Sequence, residues 1–267
     1  MKEFLKRSIT GILYVLLLLA AVFLSTDAFD FLFLAFGLTC IYEFKKLIKL
    51  RGYYIFIAFM ALWWLFIYLI KEKSVIYTFL VISCAVNIFL ITFLFSNKEH
   101  RFSNTQKFLI TLFYIGGGSI FLTMIPYKDD HFAKYMIISI FILIWVNDSF
   151  AFLVGKAFGK NKLFKKVSPK KTIEGALGGF IFALIAAFLL WKYGHEMHMK
   201  EWMILTFMVV IMGTLGDLIE SKFKRTAGVK DSGAILPGHG GLLDRLDSLI
   251  FTAPFAYLTL QVFNYVS

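Results

Sequence analysis

Long apolar runs recur along the whole chain, and they restrict its possible folds more than any other feature. Most are about 17 to 20 residues long, the length an α-helix needs to cross ~30 Å of hydrocarbon. Hydrophobic residues make up 59% of the 267 residues. The runs are too evenly apolar for barrel strands, and lipid requires backbone groups to bond internally. The sequence therefore predicts an all-α, polytopic integral membrane protein.

We predict nine transmembrane helices, with each limit placed to within about 2 to 4 residues. They cover 8–25, 29–44, 53–70, 75–95, 108–125, 135–154, 173–191, 202–218 and 249–266. Residues 1–130 form an N-terminal scaffold of five spans, in which Gly116, Gly117 and Gly118 indicate close helix packing more than a substrate-lining break. Residues 131–267 form the C-terminal catalytic region of four spans.

The formal charge of +11 would suggest nucleic acid as a partner in a soluble protein. Here the position of the cations matters more, because cytoplasmic loops of membrane proteins gather Lys and Arg. With the N-terminus inside, all but six of the 28 basic residues fall in inner segments. The pattern predicts a cytoplasmic N-terminus and no nucleic-acid partner. Cys40 and Cys84 lie in apolar runs outside any metal or redox pattern, which indicates buried packing.

Residues 221–247 are the longest break in the apolar pattern, and they bring phosphate-binding cations beside carboxylates. Asp217, Glu220 and Ser221 share one helical face, and Asp244 and Asp247 repeat the spacing of three. Carboxylates at a membrane boundary are costly unless they are paired or metal-bound. Ion pairs with nearby Lys and Arg would satisfy them, but their density in one short segment favours Mg²⁺ bound together with a substrate phosphate.

Two further polar stretches precede this segment. Asn147 and Asp148 lie deep in the sixth predicted span, where they indicate a functional polar pocket or an interhelical hydrogen bond. Ser168 is predicted as the N-cap of the seventh helix, with Pro169 at its first position. Lys170 and Lys171 would then oppose the helix dipole unless they bound an anion, so we predict an anion site there.

His239 lies among glycines that allow a backbone to approach a ligand closely. It could bond a phosphate, orient an aspartate or cap a turn.

The stretches SKFKR (221–225), KDSG (230–233), LPGHGG (236–241) and DRLD (244–247) together resemble the signature of the phosphatidate cytidylyltransferases, also called CDP-diacylglycerol synthases. Asn147, Asp148 and residues 168–175 resemble the same family, so the specific resemblance covers roughly residues 145–250. The first five spans are similar only in hydropathy.

The resemblance implies transfer of CMP from CTP to phosphatidate, giving CDP-diacylglycerol and pyrophosphate, with Mg²⁺ alone or with a second cation. A lipid phosphate oxygen would attack the α-phosphorus in line, so no protein nucleophile is needed. The resemblance also suggests a homodimer. The compact length suggests a bacterial protein and hence an inner membrane, and the basic segments place the site on the cytoplasmic side, where phosphatidate would reach it from the lipid bilayer.

The candidate residues fall into three sets. The catalytic set is Asp217, Asp244, His239, Lys224, Arg225 and Arg245. The substrate-binding set is Asn147, Asp148, Ser168, Lys170, Lys171, Glu174, Ser221, Lys222, Lys230, Asp231, Gly240 and Gly241. The metal set is Asp217, Asp244 and Asp247, which would clamp the attacking and leaving oxygens.

Three other functions fit the composition less well. A transporter or channel predicts inverted repeats and polar residues on several spans, and neither is seen. A lipid or polyprenol kinase would also use metal and basic residues, but it would transfer the γ-phosphate. A purely structural membrane protein gives no reason for so many charges in residues 221–247.

Overall fold

A computed structural model describes residues 2–96, 100–128, 131–194, 197–236, 238 and 240–266. Its helices are α1 (Lys2–Leu24), α2 (Thr26–Leu47), α3 (Tyr54–Trp64), α4 (Lys73–Phe95), α5 (Asn104–Ile110), α6 (Gly117–Met124), α7 (Lys134–Phe158), α8 (Ile173–Gly194), α9 (Met199–Thr226) and α10 (Leu243–Val266). A π-helical turn at Leu65–Leu69 continues α3, and another at Thr111–Gly116 joins α5 to α6.

Two short antiparallel hairpins complete the secondary structure of the described residues. Strands β1 (Tyr127–Lys128) and β2 (His131–Phe132) pair before α7. Strands β3 (Lys162–Phe164) and β4 (Ser168–Thr172) pair between α7 and α8.

Six helical segments of the described chain are long and apolar enough to cross a membrane. They are α4, the continuous segment from α5 to α6, and α7, α8, α9 and α10. Residues 10–24 and 54–69 form shorter apolar helices. The predicted all-α, polytopic membrane fold is therefore confirmed, whereas the count of nine spans and the cytoplasmic N-terminus stay predictions.

The last two helices are longer than the predicted spans, because hydropathy marks only the apolar part of a helix. Helix α9 continues past residue 218 to Thr226, and α10 begins at Leu243 instead of residue 249. Polar residues can extend a helix beyond the lipid because its backbone bonds are internal. Asp217 and Lys224 therefore share α9, while Asp244 and Asp247 lie in the first turns of α10.

The predicted helix start at Ser168 was wrong. Ser168 lies in β4 opposite Phe164, and α8 begins only at Ile173. A residue before proline is pushed toward extended backbone, which suits Ser168 to a strand. Thr172 provides the first-turn contact instead, since its Oγ1 accepts the N–H of Gly175 at 3.1 Å. The predicted anion site at a helix start therefore becomes a lysine-bearing hairpin.

Close helix packing at the glycine run is confirmed. A Cβ on Gly118 would lie 2.6 Å from Ile250 Cγ2 and 3.0 Å from the Ile250 carbonyl carbon, so α6 and α10 touch through backbone there. Gly117 faces Ser83 on α4 in the same way. Small residues at these crossings let helices approach without a gap. The scaffold and the catalytic region therefore share one core.

The two cysteines behave as predicted. Cys40 and Cys84 are both buried free thiols. Cys40 belongs to a large apolar cluster that includes Phe44, Tyr114 and Phe251. The rings of Phe44 and Phe251 each pack edge-on against the ring of Tyr114, with centroids 5.5 and 5.8 Å apart. Tyr114 therefore joins α2 and α10 through their aromatic side chains.

Candidate active site

One cavity of about 690 Å³ lies among α1, α7, the β3–β4 hairpin, α9 and α10. Nine residues from the predicted sets line it: Asn147, Asp148, Lys170, Lys171, Asp217, Lys224, Asp244, Arg245 and Asp247. Lys156 of α7 also lines the cavity, so the structure brings together four carboxylates and five basic side chains from elements separate in sequence. Leu163, Phe152, Trp145 and Val15 give the same cavity an apolar lining.

The crossing of α9 and α10 fixes two of the carboxylates. A Cβ on Gly216 would lie 3.0 Å from the Asp247 carbonyl oxygen and 3.1 Å from Phe251 Cγ, so only glycine allows this approach. Asp217, the next residue, is thereby held close enough to Asp247 for their charges to interact. Asp247 is 7% exposed, and its Oδ1 accepts the N–H of Ser248 at 2.7 Å.

Lys171 of the hairpin forms an ion pair with Asp217 Oδ2. Ser221, one turn along α9, donates to Asp217 Oδ1 at 3.2 Å. Burial opposes the charged form of Lys171, but the Asp217 carboxylate outweighs this effect and raises the pKa of Lys171 above its ordinary value. The β3–β4 hairpin therefore places a lysine in the cavity wall that stays positively charged at neutral pH.

Lys224 joins two buried carboxylates. Its ammonium group pairs with Glu220 on the preceding turn of α9 and lies 2.6 Å from Asp244 Oδ1 on α10. Glu220 is fully buried, and its Oε1 has no hydrogen-bond donor among the described residues. Removing Lys224 would leave the buried Glu220 without its cation and would take from Asp244 its only ion pair among the described residues, so Lys224 stabilises the site as well as lining it.

Asp244 also organises the loop before α10. Its Oδ2 accepts the N–H and the hydroxyl of Ser232, each at 2.9 Å, and the N–H of Gly241 at 2.8 Å. Gly240 has a φ of +87°, which suits glycine, and its carbonyl accepts the Leu236 N–H at 3.0 Å. The Asp231 side chain packs near Gly240. The loop is thus built around one carboxylate.

Asn147 and Asp148 contribute a polar face to the cavity from α7. Asn147 Nδ2 donates to Asp148 Oδ1 at 3.2 Å, and the charge of Asp148 interacts with Lys171. The buried Asn147 Oδ1 has no donor among the described residues. Both residues occur in the cavity wall, as a functional pocket requires.

Several predicted residues lie outside the cavity lining and contact backbone instead. Lys222 Nζ donates to the carbonyls of Phe93, Leu94 and Ser96 at the end of α4. Arg225 donates to the carbonyls of Val167 and Val229, each at 3.3 Å. These two side chains stabilise a helix end and a hairpin turn in the structure, and their predicted contacts with substrate stay predictions.

Glu174 closes the turn that leads into the β3–β4 hairpin. It accepts the N–H groups of Lys160 and Asn161 at 3.0 and 3.1 Å, and Asn161 Nδ2 at 2.8 Å. Ser168 lies in β4, and Lys230 is exposed after α9. His239 lies outside the described residues, so its predicted role stays a prediction.

The sequence interpretation missed Glu43 of α2. This carboxylate is 1% exposed, and it accepts the N–H groups of Leu242 and Leu243 at 3.2 and 2.8 Å. It also missed Tyr14 and Thr10 of α1, which line the cavity. The only available signal was the presence of a carboxylate near the end of an apolar run, which marks a candidate functional residue by default.

The donor set of the cavity suits a hard divalent cation. Asp217 and Asp247 both line the cavity and are close enough for their charges to interact, and carboxylate oxygens are the donors that Mg²⁺ prefers. No group of three His, Cys, Asp or Glu residues within the described part of the chain has the spacing of a closed metal site. Mg²⁺ often binds through one or two carboxylates plus substrate phosphates, so the residues fit the ion in this open form.

The fold and the cavity together define a polytopic helical membrane protein whose charged pocket suits phosphate-bearing ligands. The model of the cytidylyltransferase family matches residues 5–263. The chain therefore belongs to the cytidylyltransferase family, and the family resemblance seen in the sequence is confirmed.

Named relatives agree with this placement. The phosphatidate cytidylyltransferase of Bacillus subtilis (strain 168) is 32% identical over 270 residues, which cover 99% of this chain and all of that protein. The proteins of the same name from Staphylococcus aureus (strain COL) and Staphylococcus haemolyticus are 41% and 38% identical over 167 residues. The match to these staphylococcal relatives spans 62% of this chain and 62% of their length.

Proposed function

We propose that this protein transfers CMP from CTP to phosphatidate, producing CDP-diacylglycerol and pyrophosphate for phospholipid biosynthesis. The observation that carries the proposal is the cavity, where four carboxylates and five basic side chains meet beside apolar residues of α1 and α7. Such a pocket suits a triphosphate and a lipid phosphate together. The names of the B. subtilis and staphylococcal relatives support the same substrates.

The reaction makes one bond and breaks one. An oxygen of the phosphatidate phosphate attacks the α-phosphorus of CTP, and the bond to the β-phosphate oxygen breaks to release pyrophosphate. The nucleophile belongs to the lipid, so catalysis consists of positioning and charge neutralisation. This agrees with a cavity rich in charge.

Four basic residues of the cavity would perform most of the neutralisation. Lys170 and Lys171 approach from the hairpin, Lys224 from α9 and Arg245 from α10. Arg245 suits bidentate phosphate contact, whereas lysines act as point charges. Lys171 and Lys224 are paired with carboxylates in the structure, so binding of phosphate would redistribute these pairs.

Mg²⁺ is the cofactor of this proposal, alone or with a second cation. Asp217 and Asp247 would hold it, with Asp244 at the adjoining start of α10. The ion would supply positive charge to the phosphate oxygens of CTP. Asp244 already accepts four donors, so its contribution to the metal requires Lys224 to move.

We place the protein in a bacterial inner membrane, crossing it nine times from a cytoplasmic N-terminus and acting as a homodimer. The basic segments support this orientation, because they put the cavity on the cytoplasmic side where CTP is available. Phosphatidate would enter from the inner leaflet. The bacterial relatives support this location.

The direct test is transfer of label from CTP to lipid by the full chain in detergent with phosphatidate. Label in the α-phosphate should appear in CDP-lipid, with pyrophosphate released, only when Mg²⁺ is present. CTP labelled in the γ-phosphate should leave the lipid unlabelled. Lipid labelled from the γ-phosphate would identify a kinase and overturn the proposal, and so would a folded protein that labels no lipid.

A further inference from the structure

We infer that Glu43 of α2 is a positioning residue that holds the start of α10, and through it Asp244 and Asp247, in place. The inference rests on the proposed function for its link to catalysis, but its structural part can be tested without turnover. Glu43 lies about two hundred residues before its partners in the chain. It therefore connects the scaffold directly to the candidate active site.

The contacts of Glu43 all lead to the loop and helix that carry the acids. Its Oε2 accepts the N–H of Leu243 at 2.8 Å, and its Oε1 accepts the N–H of Leu242 at 3.2 Å. The hydroxyl of Ser232 lies 3.4 Å from Oε2 and also donates to Asp244. One serine thus lies between the scaffold carboxylate and a carboxylate of the cavity.

The start of α10 needs such a partner. The first N–H groups of a helix have no acceptor within the helix, and the helix dipole places partial positive charge there. A buried carboxylate from another helix satisfies two of these groups and complements the dipole. This anion-binding position is filled by the protein itself, which leaves the basic side chains to bind substrate phosphates.

Two glycines of the loop before α10 give independent evidence that the space around the Glu43 carboxylate is shaped for it. A Cβ on Gly241 would lie 2.6 Å from Glu43 Oε2, and a Cβ on Gly233 would lie 2.7 Å from the Glu43 carboxyl carbon. Contacts below 3.0 Å force something to move. The glycines at 233 and 241 therefore make room for Glu43, in addition to any freedom they give the backbone.

The test compares Glu43→Gln with wild type in the full chain, and uses Glu72→Gln as the matched control. Gln keeps the size of Glu, but its amide group cannot accept both N–H bonds, whereas Glu72 is an exposed glutamate away from the cavity. We expect Glu43→Gln to lower kcat by about 10- to 100-fold, the usual range for residues that orient active groups. KM for CTP should change much less, and Glu72→Gln should match wild type.

Hydrogen exchange supplies a readout that does not depend on the reaction. Amides in peptides covering 241–246 should exchange faster in Glu43→Gln than in wild type or Glu72→Gln, because two of their acceptors are weakened. Unchanged exchange in these peptides would overturn the positioning role. Faster exchange with unchanged kcat would overturn the link to catalysis.

The two proposals can fail separately. If wild type transfers no CMP, the proposed function is wrong, and the exchange data still decide whether Glu43 holds α10. If Glu43→Gln does not fold, Glu43→Asp replaces it, since it keeps the charge on a side chain one methylene shorter. That variant should show intermediate exchange and an intermediate kcat, and wild-type values for both would contradict the inference.

Discussion

Asp217 and Asp244 are both aspartates of the cavity, but their hydrogen-bond partners indicate different roles. The oxygens of Asp217 contact two side chains, Lys171 and Ser221. Asp244 instead accepts the backbone N–H groups of Ser232 and Gly241 in addition to Lys224. Asp217 is therefore held only by side chains, which substrate or metal could displace, whereas Asp244 also maintains the loop.

Asparagine at each position should separate these roles. We expect Asp217→Asn to lower turnover by about 10²-fold or more, as loss of a group that stabilises transition-state charge does, and to lower the unfolding temperature less than Asp244→Asn does, because it loses only the ion pair with Lys171. Asp244→Asn should lower both, since each charge-assisted hydrogen bond contributes about 1.5 to 3 kcal/mol. Label transfer and thermal unfolding in detergent measure the two effects. Normal turnover in Asp217→Asn would remove it from the metal set.

Lys222 offers a test of a residue assigned to substrate by sequence and to a helix end by structure. Its ammonium group contacts three carbonyls at the end of α4 and lies 4.3 Å from the centre of the Phe93 ring. We expect Lys222→Met to lower the unfolding temperature by several degrees, with KM for CTP nearly unchanged. A large rise in KM at an unchanged unfolding temperature would restore the substrate-binding role.

Lys171 makes a pH-dependent contribution to stability. Its pKa is raised in the folded protein, so the stabilisation it gives is fully present below the ordinary lysine pKa of about 10.4 and is lost only as pH rises through the raised pKa. The difference in unfolding temperature between wild type and Lys171→Met should therefore stay constant from about pH 7 to about pH 9. A difference that shrinks across this range would show that Asp217 does not hold the lysine charged.

Among the elements, the β3–β4 hairpin departs most from the sequence prediction. Apolar periodicity gave no warning of a hairpin, because Ser168, Pro169 and two lysines fit a capped helix start as well as a strand. Pairing with residues 162–164 decided between them. Glu174 then fixes the turn before β3, and Arg225 fixes the turn between β3 and β4. No local sequence pattern encodes these contacts.

The crossing of α6 and α10 was easier to anticipate, and it gives a prediction at the scale of helices. The backbone of Ile250 lies against Gly118, so Gly118→Ala should force the helices apart and lower the unfolding temperature by several degrees. Gly194→Ala is the matched control, because nothing lies within 4 Å of the added carbon. Equal unfolding temperatures for the two variants would mean that this crossing adjusts without cost.

For the whole molecule, hydropathy and motif spacing predicted the helical membrane fold and nine of the residues that line the cavity. Asp148 and Asp217 were predicted because each is a charge that lipid would penalise, whereas Lys171 was predicted as part of an anion site at a helix start. Hydropathy and motif spacing could not predict that Glu43 would reach Leu242 and Leu243, because a contact across some two hundred residues depends on tertiary packing alone. The division at residue 130 stays a prediction.

The predicted orientation can be checked with single cysteines at exposed lysines. Cys40 and Cys84 are buried, so their background labelling should be low. In intact cells, an impermeant maleimide should label Lys71→Cys, which the nine-span prediction places outside. It should label Lys160→Cys only after the cells are opened. The opposite labelling pattern would show that the protein has the inverse orientation, with the cavity on the outer side of the membrane, away from CTP.

The long reach of Glu43 also has a consequence for how the protein is made. Glu43 is synthesised about two hundred residues before Leu242 and Leu243, whose N–H groups it accepts at the beginning of α10. Until α10 leaves the ribosome and enters the membrane, Glu43 lacks these two hydrogen-bond donors, and the acids of α10 have no fixed position. A chain halted before α10 would therefore lack an assembled centre, because the contacts of Glu43 and the acids of the cavity need that helix.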